Sequence, residues 1–380
     1  MSWKDAILGE LLSLQRGYDL PSDNRIYGEI PIIGSAGITG FHNEAKVFGG
    51  GVTVGRSGNS FGKVFRCKED FWPHNASLYV KENFGNDIDY IYYFLKNIDF
   101  TNYNSGSAQP SLNRNFIYPI KIEIPALETQ KRIASILSNY DDLIENNLKR
   151  IKLLEETAQN IYKEWFVNFR FPNYEHTEFD TESGLPKGWK MEKVGQLVSF
   201  KGGYPFKSSE YTDNGKFRIV TIKNVGDRFF DGSNTSGIEN IPDKMKDYCK
   251  LKEGDILMSL TGNIGRTCLV YGDNYLLNQR VVLIEPVNFE NKAFCYFLFN
   301  TDSIKGLMNN LASGVAQQNL SPVKLEEQII LLPPSNLMLQ YSSSINGMIS
   351  HIILLNKQNQ NLKEARDILL PRLMNRTIEV

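Results

Sequence analysis

The stretch LGELLSLQRGYDL at positions 8–20 recurs in altered form as VGQLVSFKGGYPF at positions 194–206, and this recurrence is the main evidence for the architecture. The same offset places Trp3-Lys4 opposite Trp189-Lys190. Four further blocks match in the same order, namely SGNSFGKV (57–64) with TGNIGRT (261–267), YFLKN (93–97) with YFLFN (296–300), SGSAQPSL (105–112) with SGVAQQNL (313–320), and IEIPALETQ (122–130) with LLPPSNLMLQ (331–340). Because all five blocks keep their order, the sequence indicates an internal duplication of about half the chain.

Length and composition limit the classes of protein to consider. The 380 residues suffice for two or three domains, and 42 Lys and Arg against 43 Asp and Glu give a formal net charge of −1. This balance by itself indicates neither a nucleic-acid nor a membrane partner. The four Cys lack CxxC spacing, and no apolar run reaches the roughly 18 residues that a membrane span needs. The start of the chain also lacks the features of a signal peptide. These features predict a soluble, cytoplasmic protein without a disulfide framework or a zinc site.

Both halves follow one internal plan. Each begins with a mixed segment in which apolar runs are separated by Gly and Asn turns. In the second half we expect strands at RIVTI (218–222), DILMSL (255–260) and VVLIEP (281–286), with shorter helices between them. A long helix follows each mixed segment. The segment 169–188 contains two prolines and two glycines and is the predicted boundary between the halves.

Each long helix has apolar residues at heptad spacing. The predicted seam contains Ile133, Leu137, Tyr140, Ile144, Asn147, Ile151 and Leu154 in the first half, and Ile345, Met348, Ile352, Leu355, Asn359 and Leu362 in the second. Pro371 is expected to end the second helix. One such stripe is equally compatible with a helix that packs on its own domain. Two stripes at equivalent places favour an intramolecular coiled coil, which would be about 50 Å long over Ile133–Trp165 and act as a spacer.

Asn147 and Asn359 place a polar side chain on each half of this seam. A buried amide lowers stability but fixes register and partner choice, since a wrong register would leave it unpaired. The alternative is that both amides turn towards solvent.

The sequence lacks the motifs of common enzyme classes. GRSGNSFGK (55–63) departs from the phosphate-binding GxxxxGK[ST] loop, because only three residues separate Gly58 from Gly62 and Val64 follows the Lys. A tight turn carrying basic side chains explains it better than a nucleotide site. There is no HExxH, GxSxG or zinc-deaminase pattern, and no NPPY-type methyltransferase tetrapeptide. We therefore predict that the chain is not an enzyme.

The predicted turns carry side chains that bind phosphates and base edges. The candidate DNA-binding residues are Arg56, Asn59, Lys63, Gln109, Asn113 and Arg114 in the first half, and Lys201, Lys207, Lys223, Asn224, Asn263, Arg266, Gln279, Arg280, Gln317, Gln318 and Asn319 in the second. The alternative for each is an ordinary turn-capping amide or a solvated charge.

Both halves share one order of features. A Trp-Lys start, a Gly-rich strand ending in Gly-Tyr, a GNxxGK-like turn, a GxAQxxL turn, an apolar strand ending in Pro and a Gln-led helix occur twice. The sequence thereby resembles the DNA specificity subunit of type I restriction–modification systems over essentially its full length. Particularly similar phrases are SGSAQPSLNRNFI (105–117), QKRIASILSNYDDLIENNLKRI (130–151) and GLPKGW (184–189).

The resemblance implies an α+β chain with a pseudo-twofold internal repeat. Two similar mixed α/β target-recognition domains would be separated by two long helices that form an antiparallel intramolecular coiled coil. The expected boundaries are 1–128 for the first domain, 129–168 for the first helix, 169–188 for a linker, 189–335 for the second domain and 336–376 for the second helix.

It also implies a function. Each domain would recognise one part of a bipartite, asymmetric site in double-stranded DNA, and the helices would set the spacing and bind two methyltransferase subunits. Restriction or translocase subunits would join indirectly, and no membrane is involved. The chain itself would need no cofactor, since S-adenosylmethionine, ATP and Mg would belong to the partner subunits. The near-neutral charge departs from a typical DNA-binding protein. The alternatives are a non-catalytic coiled-coil adaptor that binds proteins through both lobes, and an enzyme with a degenerate nucleotide loop at 58–63.

Overall fold

The computed structural model describes residues 3–106, 109–213, 215–312 and 319–380. It divides into two compact units, of which the first contains Met1–Leu143 and Leu362–Val380 and the second contains Ile144–Asn361. The borders fall inside the two long helices, so the units do not follow the domain boundaries expected from the sequence. The segment 169–188 lies within the second unit, where Phe171 joins the apolar core. It is therefore not the border between compact units.

The described residues of the first unit form nine strands and three short helices besides parts of the long ones. The strands are β1 (Trp3–Ile7), β2 (Ser13–Arg16), β3 (Ile30–Gly34), β4 (Gly37–His42), β5 (Gly51–Gly55), β6 (Val64–Cys67), β7 (Trp72–Pro73), β8 (Ser77–Glu82) and β9 (Lys121–Pro125), and the helices are α1 (Leu8–Leu11), α2 (Ile88–Lys96) and α3 (Arg114–Ile117). The first long helix, α4 (Leu127–Phe166), starts here and continues into the second unit.

The described residues of the second unit also form nine strands and three helices besides parts of the long ones. Its strands are β10 (Lys190–Lys193), β11 (Val198–Gly202), β12 (Phe217–Val220), β13 (Ser236–Ile238), β14 (Ile256–Ser259), β15 (Thr267–Leu269), β16 (Tyr275–Leu277), β17 (Val281–Pro286) and β18 (Ile329–Leu332), and its helices are α5 (Lys292–Phe299), α6 (Asp302–Leu311) and α7 (Pro322–Glu326). The second long helix, α8 (Ser335–Met374), starts here and ends in the first unit.

The two units have the same strand topology, strand for strand. The first unit has sheets of order β1-β9, β2-β8-β5-β6 and β4-β3-β7, and the second has β10-β18, β11-β17-β14-β15 and β13-β12-β16. Adding nine to each strand number of the first unit gives the second. The single parallel pairing within named strands is also repeated among the described residues, as β3 with β7 and β12 with β16. The duplication predicted from the sequence is therefore present in the hydrogen-bonding pattern.

The matched Gly-Tyr pairs occupy equivalent places in this topology. Tyr18 N donates to Pro73 O at 2.8 Å, and Tyr204 N donates to Leu277 O at 2.9 Å. A Cβ added to the preceding Gly17 would lie 2.2 Å from His74 O, and one added to Gly203 would lie 2.3 Å from Asn278 O. Both glycines are required because another strand approaches the backbone too closely for a side chain.

The two long helices are antiparallel in the second unit. Arg150 Nη2 lies 3.0 Å from His351 Nε2, and Tyr341 OH donates to Ala158 O at 2.9 Å, so the numbering rises in α4 where it falls in α8. The predicted fold class, two similar mixed domains joined by two long antiparallel helices, is confirmed. Across the described ranges, no helix is long and apolar enough to cross a membrane.

Pro371 does not end the second helix, contrary to what its missing N–H predicts. Pro371 lies inside α8, which continues to Met374. Proline lacks only its own N–H, and its carbonyl still accepts from Asn375 N at 3.0 Å, so the last turn forms.

Each unit has its own apolar core, and the predicted strands supply much of the second one. Strands β14 and β17 cover the predicted runs 255–260 and 281–286 to within a residue. The run 218–222 ends earlier, because Thr221 and Asn224 form a capping box that starts a short 3₁₀ turn at Ile222. Helix α6, with its N-cap Thr301, follows α5 where the first unit has a 3₁₀ turn at Phe100–Tyr103.

Candidate functional site

Two separate sequence blocks of the first unit meet at the end of its four-stranded sheet. The turn after β5 and the segment before α3 form a bridge between Ser57 and Ser111. Leu112 N donates to Arg56 O at 2.8 Å, and Gly58 N donates to Pro110 O at 3.3 Å. The 57–64 and 105–112 blocks, which the sequence treats as independent matches, are therefore one structural feature.

The second unit builds the same feature from the corresponding residues. Thr261 forms a bridge with Asn319, and Leu320 N donates to Leu260 O at 2.9 Å. The backbone φ angles also agree, with 73° at Gly58 and 74° at Gly262. We call each meeting of the two turns, together with the neighbouring strand ends, the paired-turn surface of its unit.

The paired-turn surface of the first unit carries four of the candidate residues. Asn59, Lys63 and Gln109 are exposed, and Arg56 is half-buried with Nη1 3.5 Å from Asn75 O. Gln109 lies against the turn, because a Cβ on Gly58 would be 3.7 Å from its Nε2. One guanidinium, one ammonium and two amides are thus presented close together.

The paired-turn surface of the second unit carries five candidates. Arg280 O accepts from Leu260 N at 3.2 Å, and Gln279 N donates to Tyr204 O at 3.2 Å, so the strand end before β17 adjoins the turn. All five residues are polar and exposed. They are Asn263, Arg266, Gln279, Arg280 and Asn319. With its amide oxygen facing the guanidinium, Asn263 accepts from Arg266 Nη1 and Nη2 at 3.1 Å. This contact occupies one N–H of each terminal nitrogen of Arg266.

The three candidate lysines of the second unit have different surroundings. Lys207 and Lys223 are exposed, and Lys223 belongs to the turn whose Ile222 side chain would lie 3.9 Å from a Cβ on Gly262. Lys201 forms an ion pair with Glu285 at 3.5 Å across β11 and β17. That carboxylate competes with any phosphate for the ammonium group.

Asn224 is wrongly assigned as a DNA-binding residue. It is 1% exposed, its Oδ1 accepts from Thr221 N at 2.8 Å, and its Nδ2 donates to Asp231 O at 2.8 Å. A buried amide with both ends occupied holds the loop and cannot meet a base.

Asn113 and Arg114 also have structural partners. Asn113 is the N-cap of α3 and accepts from Asn115 N at 3.0 Å, as its sequence position before a short helix requires. Arg114 donates from Nη1 to Leu14 O at 2.6 Å and so ties α3 to β2. The turn-capping alternative therefore describes Asn113. Arg114 already uses one N–H group for Leu14 O and has fewer left to donate to a ligand. Gln317 and Gln318 lie outside the described residues.

The sequence analysis missed the residues that hold the first paired turn in shape. Asn104 Oδ1 accepts from Gly106 N at 2.9 Å and from Ser111 N at 3.0 Å, and Ser105 Oγ donates to Ser111 O at 2.8 Å. The signal was available, because a Tyr-Asn-Ser-Gly-Ser run of turn-forming residues overlaps the start of the matched block.

The seam residues of the long helices are all buried or half-buried. Asn147, Ile151, Ile352, Leu355 and Asn359 are buried, as are Ile133, Leu137, Ile144 and Ile345, while Tyr140, Leu154, Met348 and Leu362 are half-buried. Ile133 and Leu137 belong to the core of the first unit, and Ile345 belongs to that of the second. Ile151, Ile352 and Leu355 form a separate helix–helix cluster. One part of each long helix therefore packs on the core of a unit, and another part packs against the other long helix, so both alternatives from the sequence apply.

The two seam asparagines are hydrogen-bonded to each other. Asn147 Nδ2 donates to Asn359 Oδ1 at 2.9 Å, and both side chains are buried. Each amide therefore fixes the register of the other, and the solvent-facing alternative does not hold.

This arrangement is suited to binding and not to bond chemistry. Each unit presents exposed Arg or Lys with Asn and Gln at the ends of a sheet. These side chains form bidentate hydrogen bonds with base edges and contact phosphates.

Comparison with known proteins agrees with this geometry. Residues 2–156 and 186–364 match the family model described as the type I restriction modification DNA specificity domain. The specificity subunit of the type I restriction enzyme MjaIX from Methanocaldococcus jannaschii is 29% identical over 305 residues, which cover 75% of this chain and 68% of that protein. The MjaVIII specificity subunit from the same organism is 27% identical over 340 residues, which cover 85% of this chain and 78% of the relative. The crystal structure of a type I restriction–modification S subunit from M. genitalium shares the fold, with a TM-score of 0.61, 18% identity, and coverage of 98% of this chain and 96% of that one.

Proposed function

Because the chain belongs to the type I restriction–modification DNA specificity family, as a subunit that confers specificity and not catalysis, we propose that it recognises a bipartite DNA site with one unit per half-site. The paired-turn surface of each unit contacts base edges in this scheme. Phosphate contacts from the neighbouring lysines, such as Lys207 and Lys223, set the position of the duplex.

Two features together support this proposal. The strand order of the two units is the same, whereas the side chains on their paired-turn surfaces differ. Lys63 of the first unit stands where the second has Arg266, and Ser111 stands where the second has Asn319. One scaffold with two sets of donors and acceptors suits two different half-sites in one asymmetric sequence.

The long helices set the distance between half-sites and bind two methyltransferase subunits in this proposal. The buried Asn147–Asn359 pair supports a fixed register, since sliding by one heptad would separate the two amides. Restriction or translocase subunits then join through the methyltransferase subunits. S-adenosylmethionine, ATP and Mg are used by those partners, and the chain itself contributes recognition.

The test is to co-express the chain with its methyltransferase subunit and to map methylated bases across the host genome. We expect one two-part motif with a fixed gap, which is absent when the chain is omitted. Arg266→Ala in the second unit should weaken binding of the complex to its site by about 1–3 kcal/mol and relax one base position in one half-site. Arg170→Ala, which removes an exposed arginine outside the long helices and both paired-turn surfaces, is the matched control. A stable complex that adds no methylation would support the adaptor alternative instead.

A further inference from the structure

In the first unit, the pairing of β5 with β8 continues one step beyond the ends of these strands. The last ladder pair sets Gly55 opposite Ser77, and Arg56 N then donates to Ala76 O at 2.9 Å. Arg56 O accepts from Leu112 N at 2.8 Å, within the paired-turn surface. Arg56 and Ala76 are thus directly opposite each other at the edge of this surface.

The second unit has the same backbone contacts at its own paired-turn surface. The ladder of β14 with β17 ends one residue before Leu260 and begins one residue after Arg280, and Leu260 N donates to Arg280 O at 3.2 Å. Leu260 O accepts from Leu320 N at 2.9 Å. The register therefore places Leu260 where the first unit has Arg56. It places Arg280 where the first unit has Ala76.

Each of these residue pairs contains one arginine, but on opposite strands. Directly opposite residues of an antiparallel pair have Cβ atoms about 4.5–5.5 Å apart, so the guanidinium group starts from a different place on an equivalent backbone. Lys63 and Arg266 differ from this pair, because they change the kind of cation at one place. Their carbonyls accept equivalent bonds, from Gly55 N at 2.8 Å and from Ser259 N at 3.0 Å.

Both guanidinium groups are available to a ligand. Arg280 is exposed, and Arg56 is half-buried with Nη1 3.5 Å from Asn75 O. In the described part of the chain neither forms an ion pair, whereas Arg66 of β6 pairs with Asp89 at 2.6 Å. A guanidinium group presents its N–H donors as a planar fork, which fits O6 and N7 of guanine in the major groove.

The change of place favours a base over a phosphate as the ligand. Phosphates recur at every nucleotide and carry no sequence information, so a phosphate contact can be made from either side of the residue pair. A base edge has to be met at one position of the half-site. An arginine that changes strands between the units therefore suits two half-sites that differ in the position of one base.

We propose that Arg56 and Arg280 each recognise one guanine, Arg56 in the half-site of the first unit and Arg280 in that of the second. The side of the residue pair that carries the arginine sets where this guanine lies in its half-site. Ala76 and Leu260 complete the two pairs without a competing donor. This inference rests on the proposed recognition of one half-site by each unit.

The test uses the full chain assembled with its methyltransferase subunit, and DNA duplexes that carry the mapped motif. In these duplexes 7-deazaguanine, which lacks the N7 acceptor, replaces one guanine at a time, and fluorescence anisotropy measures the affinity. One replacement in each half-site should weaken binding of the wild-type complex about tenfold. Arg56→Leu should weaken binding of the unmodified duplex by about tenfold or more and abolish the response in the first half-site alone. Arg280→Ala should do the same for the second half-site.

Exchanging the two residues of the first pair tests the pair itself. Arg56→Leu combined with Ala76→Arg gives the first unit the residues that the second unit has on an equivalent backbone, so the unfolding temperature should stay near that of wild type. The methylated motif should then require guanine at a different position of the first half-site, with the second half-site unchanged. Arg170→Leu, which removes an exposed arginine elsewhere, is the control and should change neither half-site.

A further variant separates a base contact from a phosphate contact. Arg56→Lys keeps the charge but not the fork, so it should bind as weakly as Arg56→Leu and show no response to 7-deazaguanine in the first half-site. Full affinity in Arg56→Lys overturns the inference. So does a half-site without a G·C pair, or an exchanged variant whose motif is unchanged. If the wild-type complex binds all duplexes equally, the proposed function itself fails.

Discussion

The hydrogen bond between Asn147 and Asn359 makes two buried amides dependent on each other. Asn147→Leu should lower the free energy of unfolding by about 1–3 kcal/mol, because Asn359 loses its partner. The double variant with Asn359→Leu should be at least as stable as wild type. It leaves no buried amide at this point of the seam, and among the described residues Asn359 Nδ2 already lacks an acceptor. Urea unfolding of both single variants and the double variant measures the coupling, with the exposed Asn146→Leu as control. Additive losses would contradict the pairing.

Glu155 of α4 gives the second unit a pH-dependent stability. Burial raises the pKa of Glu155 from 4.5 to about 7, although the charge of Arg228 and a hydrogen bond from Tyr296 OH oppose the shift. Between pH 4.5 and 7 the unfolded chain releases this proton and the folded chain keeps it, so stability falls as the pH rises. Glu155→Gln should therefore stabilise the protein at pH 8, by on the order of 2–3 kcal/mol, and leave it unchanged at pH 4.

Thermal unfolding at both pH values tests this expectation for Glu155. The exposed neighbour Glu156, which pairs with Lys152 at 3.8 Å, provides the control variant Glu156→Gln. An equal change in unfolding temperature at pH 4 and pH 8 would show that the effect of Glu155→Gln does not come from its ionisation.

Among the elements of the fold, the sequence predicted the domains and helices that occur twice. It missed the side-chain contacts that join residues far apart in the chain. The matched blocks and heptads predicted the two mixed domains and both long helices. They could not predict that Asn224 would be buried by its own loop, or that Arg114 would bond to Leu14 O, one hundred residues away. Helix α8 continued through Pro371 because tertiary packing of Leu370 and Leu373 outweighed one missing hydrogen bond. Side chains on the paired-turn surfaces were identified by type, but only the backbone bridges brought them together.

In the proposed function, the long helices are the elements through which the half-site spacing can be changed. One heptad inserted in α4 between positions 143 and 144, and one in α8 between positions 361 and 362, would add about 10.5 Å at 1.5 Å per residue. Both insertions fall at the border between compact units, so the contacts within each unit are retained. We expect the methylated motif to gain about three base pairs in its gap, at 3.4 Å per pair, or to disappear. A heptad in one helix alone puts the 127–143 segment of α4 out of register with the 362–374 segment of α8, for example Asp141 with Arg366, and should abolish recognition. An unchanged gap would exclude the helices as the spacer.

At the scale of the whole molecule, the internal repeat predicts that specificity can be exchanged by halves. Position 125 ends β9, two residues before α4 begins, so residues 1–125 can be replaced by the same segment of a family member with a different target. The donor must keep partners for Gln130, which binds the turn at Asn86 and Asp87. Because the second unit keeps its own strands β10–β18, only one half of the methylated motif should change, and the gap should stay the same. The reciprocal exchange of 190–332 should change only the other half. A change in both halves after either exchange would show that the units recognise DNA jointly, and would refute the assignment of one unit to each half-site.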